Sequence, residues 1–321
     1  MMKILVTGAA GFIGYHLTKS LIERGDEIVG YDNVNDYYDT QLKWDRVDRL
    51  KDYDNFDFVH GSLEEKKILN GTFEKNSFDK VVNLAAQVGV RYSIDHPYAY
   101  VDSNMVGFVN IMEACKNFHV KDLIFSSSSS VYGGNEEIPF NTEDRTDKPI
   151  SLYAATKKSN ELLAHVYSHL FGINTTGLRL FTVYGPWGRP DMAIFKFTKS
   201  IIEGKPIDVY NYGRMERDFT YIDDIVDGIV KAIERTFRYE LFNLGNNGSE
   251  NLHYLISLLE KNLDRKVEKN YLPIQPGDVR KTYADIRKSK EMLGYEPKTS
   301  LKEGVKNFID WYMEYYDVKG L

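Results

Sequence analysis

Short apolar runs alternate with amphipathic stretches through the first 180 residues. Lys3-Ile4-Leu5-Val6 reads as a buried strand and leads into Gly8-Ala9-Ala10-Gly11-Phe12-Ile13-Gly14. Apolar residues then recur at Phe12, Ile13, Leu17, Leu21 and Ile22, the spacing of a helix, and stop at Gly25, a suitable C-cap. The pattern predicts further strands at Glu27–Tyr31, Phe56–His60, Lys80–Leu84, Leu123–Ser126 and Thr175–Leu180. Between them it predicts helices at Glu64–Phe73, Asn104–Phe118 and Tyr153–Phe171. Strands alternating with helices imply a parallel sheet with right-handed crossovers, a Rossmann-type doubly wound α/β fold.

After Tyr184 the alternation lapses. Gly185-Pro186-Trp187-Gly188-Arg189-Pro190 is a turn-rich break. Beyond it the pattern predicts helices at Met192–Glu203, from an Asp223 N-cap to about Ile233, at Leu252–Leu263, Ile286–Leu293 and Leu301–Tyr315. Short strands fall at Ile207–Tyr210 and Phe219–Ile222, and Leu241–Leu244 reads as a buried strand able to rejoin the first sheet. The expected division is therefore interleaved. Residues 1–183 with about 219–246 form a dinucleotide-binding domain, and about 184–218 with 247–321 form a smaller, mainly helical substrate domain.

Composition narrows the function classes. Lysine and arginine number 41 against 47 aspartates and glutamates, a net charge of −6, which argues against nucleic-acid binding. No apolar run reaches membrane-spanning length, and Met1–Ile13 lacks the cleavage site of a signal peptide. Cys115 is the single cysteine, so no internal disulfide or cysteine-based zinc site is possible, and no metal is implicated. These features suit a cytoplasmic protein.

Candidate chemistry falls at predicted strand ends. The glycine-rich turn between a strand and a helix, followed by a second strand ending at Asp32, is a dinucleotide-binding pattern. Its glycines admit a pyrophosphate at the helix N-terminus, and Asp32 accepts from a ribose hydroxyl while repelling a 2′-phosphate, which favours NAD over NADP. The expected cofactor contacts are Gly8, Gly11, Phe12, Ile13, Gly14, Asp32, Leu84, Ala85, Ala86, Tyr153 and Lys157. Tyr153 and Lys157 are four apart and share a helix face, where a fixed ammonium would favour the phenolate. A serine from Ser126-Ser127-Ser128 could complete a proton relay, with Ser128 the first choice and Ser127 in reserve.

The three glycines, Ser128 and Tyr153-x-x-x-Lys157 together resemble the extended short-chain dehydrogenases/reductases, over nearly the whole chain. Within them the chain is similar to nucleotide-sugar 4-epimerases, and most of all to UDP-glucuronate 4-epimerases, through Gln87–Pro97, Ser151–Leu170 and Phe181–Met192. The resemblance implies an isomerase that holds NAD, with Tyr153, Lys157 and Ser128 catalytic, a UDP-sugar as substrate and a homodimer as the assembly. It places Arg217 and Arg280 on the UDP diphosphate and makes Arg91, Arg189 and Thr182 candidates for contact with the sugar. Ser129 and Ser130 stand where sugar dehydratases and decarboxylases carry acidic residues, which argues against a lyase. The alternatives are epimerisation of UDP-glucose or UDP-N-acetylglucosamine, or lyase chemistry on a UDP-sugar. Ser62 departs from an aspartate that contacts adenine in many relatives.

Overall fold

The computed structural model describes residues 1–318. Strands β1 (Lys3–Thr7), β2 (Glu27–Asp32), β3 (Phe56–His60), β4 (Lys80–Asn83), β5 (Asp122–Ser128) and β6 (Asn174–Leu180) belong to the central sheet. Short strands β7 (Thr182–Tyr184), β8 (Ile207–Tyr210), β9 (Glu216–Arg217) and β10 (Phe219–Tyr221) follow. Then come β11 (Tyr239–Leu244), β12 (Glu250–Asn251) and β13 (Lys269–Leu272). The central sheet runs β11-β6-β5-β4-β1-β2-β3, with every neighbouring pair parallel. Its fully buried apolar strands, such as Ile4-Leu5-Val6, are what a sheet covered on both faces requires. The strand order reverses direction between β1 and β4, so the loops leaving their carboxyl ends diverge and open a crevice there.

The helices are α1 (Phe12–Glu23), α2 (Thr40–Lys51), α3 (Lys66–Lys75), α4 (Tyr92–Asp95), α5 (Pro97–Tyr100) and α6 (Gly107–Asn117). They continue as α7 (Leu152–Phe171), α8 (Ala193–Ile202), α9 (Ile222–Ile233), α10 (Leu252–Asn262), α11 (Arg287–Leu293) and α12 (Leu301–Tyr315). Most lie where the periodicity predicts, within a residue or two. The departures have local causes. α2 has no counterpart in the sequence reading, because Lys43 and Arg46 share its buried face with Leu42, Val47 and Leu50 and dilute the apolar stripe. The predicted helix at Asn104 is preceded by a π-helical turn, Val101–Val106, and its α-helical part begins only at Gly107. Asp223 is not the cap of α9. Tyr221 holds that position, and Asp223 and Asp224 lie in the first turn, where Asp224 accepts from the backbone N–H groups of Lys298 and Thr299. α7 is capped by the Ser151 hydroxyl, which accepts from Ala154 N, and it ends at Gly172 in the left-handed conformation.

Phe181, at the end of β6, is followed directly by β7, whose parallel partner is β10. One continuous core joins the central sheet to α8, α9, α10 and α12. Among the described residues no helix is long and apolar enough to cross a membrane.

Candidate active site

The crevice at the switch point is a cleft of about 1340 Å³ including its open mouth. Its near wall is the turn from β1 to α1. Gly8 has φ +77°, and its absent Cβ would lie 2.7 Å from Ala85 N. A Cβ on Gly14 would lie 1.9 Å from the Gly8 carbonyl oxygen. Only glycine permits this backbone packing. Gly11 caps α1 without a side-chain bond, so the first helical N–H groups remain available to an anion in the cleft. Phe12, Ile13, Leu84, Ala85 and Ala86 line the same space.

Asp32 ends β2 at the cleft wall. Its two oxygens accept from Ala10 N (3.1 Å) and Val34 N (2.8 Å), which fix the carboxylate; burial nevertheless pushes its pKa up. Lys43, from the unforeseen α2, also lines the cleft and donates to Asn35 O and Oδ1 at 2.6 and 2.7 Å. Burial brings its ammonium down to about 8 against the pull of Asp32. Arg46, one turn on, is fully buried and donates to Ala10 O, the Tyr38 hydroxyl, Trp187 O and Gly188 O. It ties the glycine turn to the segment carrying Arg189. The sequence reading missed both; the one local signal for their helix is the Asp39 cap with Leu42, Val47 and Leu50, which the two buried cations interrupt.

At the other end, Ser126, Ser127, Ser128, Tyr153 and Lys157 converge on the cleft. Burial raises the Tyr153 phenol above its ordinary pKa, opposed by a hydrogen bond with the Ser128 hydroxyl and by the charge of Arg189. Lys157, one turn along the same helix, has its ammonium nitrogen hydrogen-bonded to β5. Its ammonium is turned to Ser126, donating to the carbonyl at 2.8 Å and the hydroxyl at 3.1 Å, and burial lowers it to about 7. Ser127 is not a substitute for Ser128. Its hydroxyl donates to Glu161 Oε1 at 2.7 Å, within a buried network in which Arg179 holds both Glu161 oxygens at 2.8 and 3.0 Å. Burial opposes the charge on Glu161, yet Arg179 keeps its carboxyl below the usual range. Arg179 also donates to the Tyr132 hydroxyl, which donates to Asn243. This network fixes β5 against α7 directly behind the serines.

Arg189 lines the cleft and pairs with Asp191, whose carboxylate also accepts from the Tyr37 hydroxyl. Arg91, Thr182, Arg217 and Arg280 lie outside the cleft lining. Arg91 pairs with Asp278 at 2.7 Å, with its guanidinium 4.5 Å from the centre of the Tyr210 ring. Arg217 donates to the backbone oxygens of Glu216 and Arg280; burial lowers its pKa, with Asp278 acting against this and Arg91 adding to it. Arg280 itself is exposed. Thr182 donates its backbone N–H to Asp218 O and sits between Phe181 and Val183, which do line the cleft. Ser129 and Ser130 form a short 3₁₀ turn, Ser129–Tyr132, and present no carboxylate. Among the described residues no group of three or more potential ligands could hold a metal ion.

Several known proteins are similar to this chain over nearly its whole length. Protein CapI of Staphylococcus aureus is 49% identical over 98% of this chain and 99% of its own. UDP-glucuronate 4-epimerase 1 of Arabidopsis thaliana is 45% identical, over 98% of this chain and 77% of its own. The crystal structure of UDP-glucuronic acid 4-epimerase from Bacillus cereus, in complex with UDP-glucuronic acid and NAD, superposes with a TM-score of 0.92. It is 37% identical and covers 98% of this chain and 100% of that one. The GDP-mannose 4,6 dehydratase family model matches residues 5–308, and the chain belongs to that family.

Proposed function

We propose that the protein is a UDP-sugar 4-epimerase that uses bound NAD and interconverts UDP-glucuronate and UDP-galacturonate. The observation that carries this reading is the meeting, in one cleft, of Ser128, Tyr153 and Lys157 with the Arg189 guanidinium. The glycine cradle, whose Gly8 and Gly14 positions a Cβ would fill, fits a dinucleotide pyrophosphate, and Asp32 fits its adenosine ribose. When bound, NAD supplies the two-electron acceptor and donor for the sugar carbon. Tyr153 takes the proton of the 4-hydroxyl with Ser128 sharing it, and after the 4-keto sugar has turned over to present its other face at C4 the same phenol returns the proton to the 4-oxygen. Lys157 holds the dinucleotide's nicotinamide ribose in register.

Glucuronate adds a hazard that the site must control. Oxidation at C4 gives a β-keto acid, which loses carbon dioxide when its carboxylate stands perpendicular to the carbonyl plane. A guanidinium in the cleft can hold that carboxylate by two parallel bonds away from this alignment. Arg189 lines the cleft, where it would turn from its partner Asp191 to the sugar carboxylate, with Thr182 as a hydrogen-bonding partner; Arg91 lies outside the cleft, paired with Asp278, and is better placed with Arg217 and Arg280 toward the UDP. The absence of a carboxylate at Ser129 and Ser130 supports epimerisation over elimination.

The functional assembly in this reading is a cytoplasmic homodimer. Leu162, Val166, Leu170 and Phe171 are exposed along α7, an apolar stripe suited to a second copy of the same helix. Residues 1–183 with about 219–246 carry the dinucleotide, and the remainder carries the sugar nucleotide. Incubation with UDP-glucuronate tests the reading. The expected product is the 4-epimer at unchanged mass; a pentose or a deoxygenated ketose as the main product, or no turnover, would overturn it.

A further inference from the structure

Beyond Asp32 the cleft ends against Gly61, Ser62, Leu63, Glu64 and Ser103. The reacting groups Tyr153 and Lys157 lie at its other end, with the glycine cradle between. A dinucleotide that brings its nicotinamide to Tyr153 therefore lays its adenosine ribose on Asp32 and its purine against this far wall.

The wall carries one carboxylate, held from two separate segments. Ser103 Oγ, in the π-helical turn, donates to Glu64 Oε1 at 2.7 Å. The Ser62 hydroxyl donates to Glu64 Oε2. Asn33 Nδ2 reaches Ser62 Oγ at 3.5 Å, which leaves the serine proton for Glu64. Ser62 is itself pinned, its carbonyl by the Tyr31 hydroxyl at 2.9 Å and its N–H by Glu65 at 3.0 Å. A serine hydroxyl both donates and accepts, so Ser62 alone cannot tell a purine amine from a purine carbonyl. An ionised carboxylate only accepts, and with two hydroxyls bound it retains lone pairs for a further donor.

We propose that Glu64 reads the adenine: its carboxylate accepts the exocyclic amine of the dinucleotide's purine, and Ser62 and Ser103 hold it in position. Glu64 thereby supplies the acceptor that Ser62, in place of an aspartate, does not. The inference rests on the dinucleotide reading of the cleft and is independent of the sugar.

The test is a binding competition between NAD and nicotinamide hypoxanthine dinucleotide, which carries a carbonyl in place of the amine. The full-chain protein is equilibrated with an equimolar mixture, desalted, and its retained dinucleotides are released and quantified. The wild type is expected to retain NAD in preference by about tenfold or more, as a charged hydrogen bond requires. Glu64→Gln should abolish or invert the preference, since an amide can donate to the carbonyl. Ser103→Ala, which frees the carboxylate, should reduce the preference several-fold. Equal retention of both by the wild type would overturn the inference, as would a Glu64→Gln variant that binds both more weakly but keeps the preference, the signature of a merely structural role. Retention of neither by the wild type would remove the dinucleotide reading itself, and this inference with it.

Discussion

Replacing Lys157 by methionine should stabilise the dinucleotide-free protein near neutral pH while disabling it as an enzyme. The amine is 2% exposed, and burial lowers its pKa from an ordinary 10.5 to about 7. That displacement corresponds to on the order of 5 kcal/mol. The unfolded chain binds the proton below about 10.5 and the folded chain only below about 7, so between these values folding expels a proton. Stability therefore falls as pH drops through that window, and the whole cost is present at and below the lower value. Methionine removes the cost but leaves the Ser126 carbonyl without the donor it had at 2.8 Å, a loss of about 1–3 kcal/mol. The variant is thus expected to be more stable than wild type by ~2–4 kcal/mol near neutrality and less stable by ~1–3 kcal/mol in strong alkali, the two curves crossing between. Urea unfolding of both proteins, stripped of dinucleotide, at intervals across the window measures this directly. The difference between the two cancels the titration of every other group. A difference that stays constant with pH would refute the reasoning, as would a variant that is the weaker protein at neutrality.

Four further outcomes follow from the same geometry. Tyr153→Phe should keep its fold and its NAD but lose roughly 10²–10⁴-fold in turnover, read by steady-state kinetics, because it removes the ionisable oxygen paired with Ser128. Arg189→Ala should epimerise UDP-glucuronate roughly tenfold to a hundredfold less efficiently and release a decarboxylated 4-keto pentose, visible by mass spectrometry of single-turnover products; clean wild-type kinetics would point to another anchor. Arg179→Met leaves the buried Glu161 with only the half-buried Lys158 ammonium at 3.1 Å and the Ser127 hydroxyl, and calorimetry or denaturation should show a loss of about 3 kcal/mol, the low end for a broken buried pair. Leu162→Glu, at an exposed position on α7, should leave the monomer folded but shift light scattering from a dimer mass to a monomer mass.

The parts of the molecule legible in the sequence are those whose chemistry is also a local backbone requirement. Gly8 and Gly14 stand out because no side chain fits where β1 turns into α1, and Asp32 because it terminates a strand whose neighbours are apolar. Tyr153 and Lys157 stand out because one helix face carries both. Residues assembled from distant segments left no such trace. Glu64 meets Ser103 across 39 positions, Ser127 meets Glu161 across 34, and Arg46 reaches Trp187 across 141. Each is a polar or charged side chain that local periodicity treats as solvent-facing. Arg46 and Lys43 even conceal their own helix, since burying two cations on its inner face removes the apolar stripe by which a helix is recognised. The Lys157 result marks the same boundary from the other side. Helical spacing correctly aligned the lysine with Tyr153, but the direction of its ammonium is set by the Ser126 carbonyl on β5, thirty-one residues earlier. Spacing along one element fixes which side chains can share a face. Which of them touch is decided by acceptors on the neighbouring element, and in this site those acceptors belong to the end of β5, where a single step along the strand separates a serine facing the phenol from one committed to a buried carboxylate.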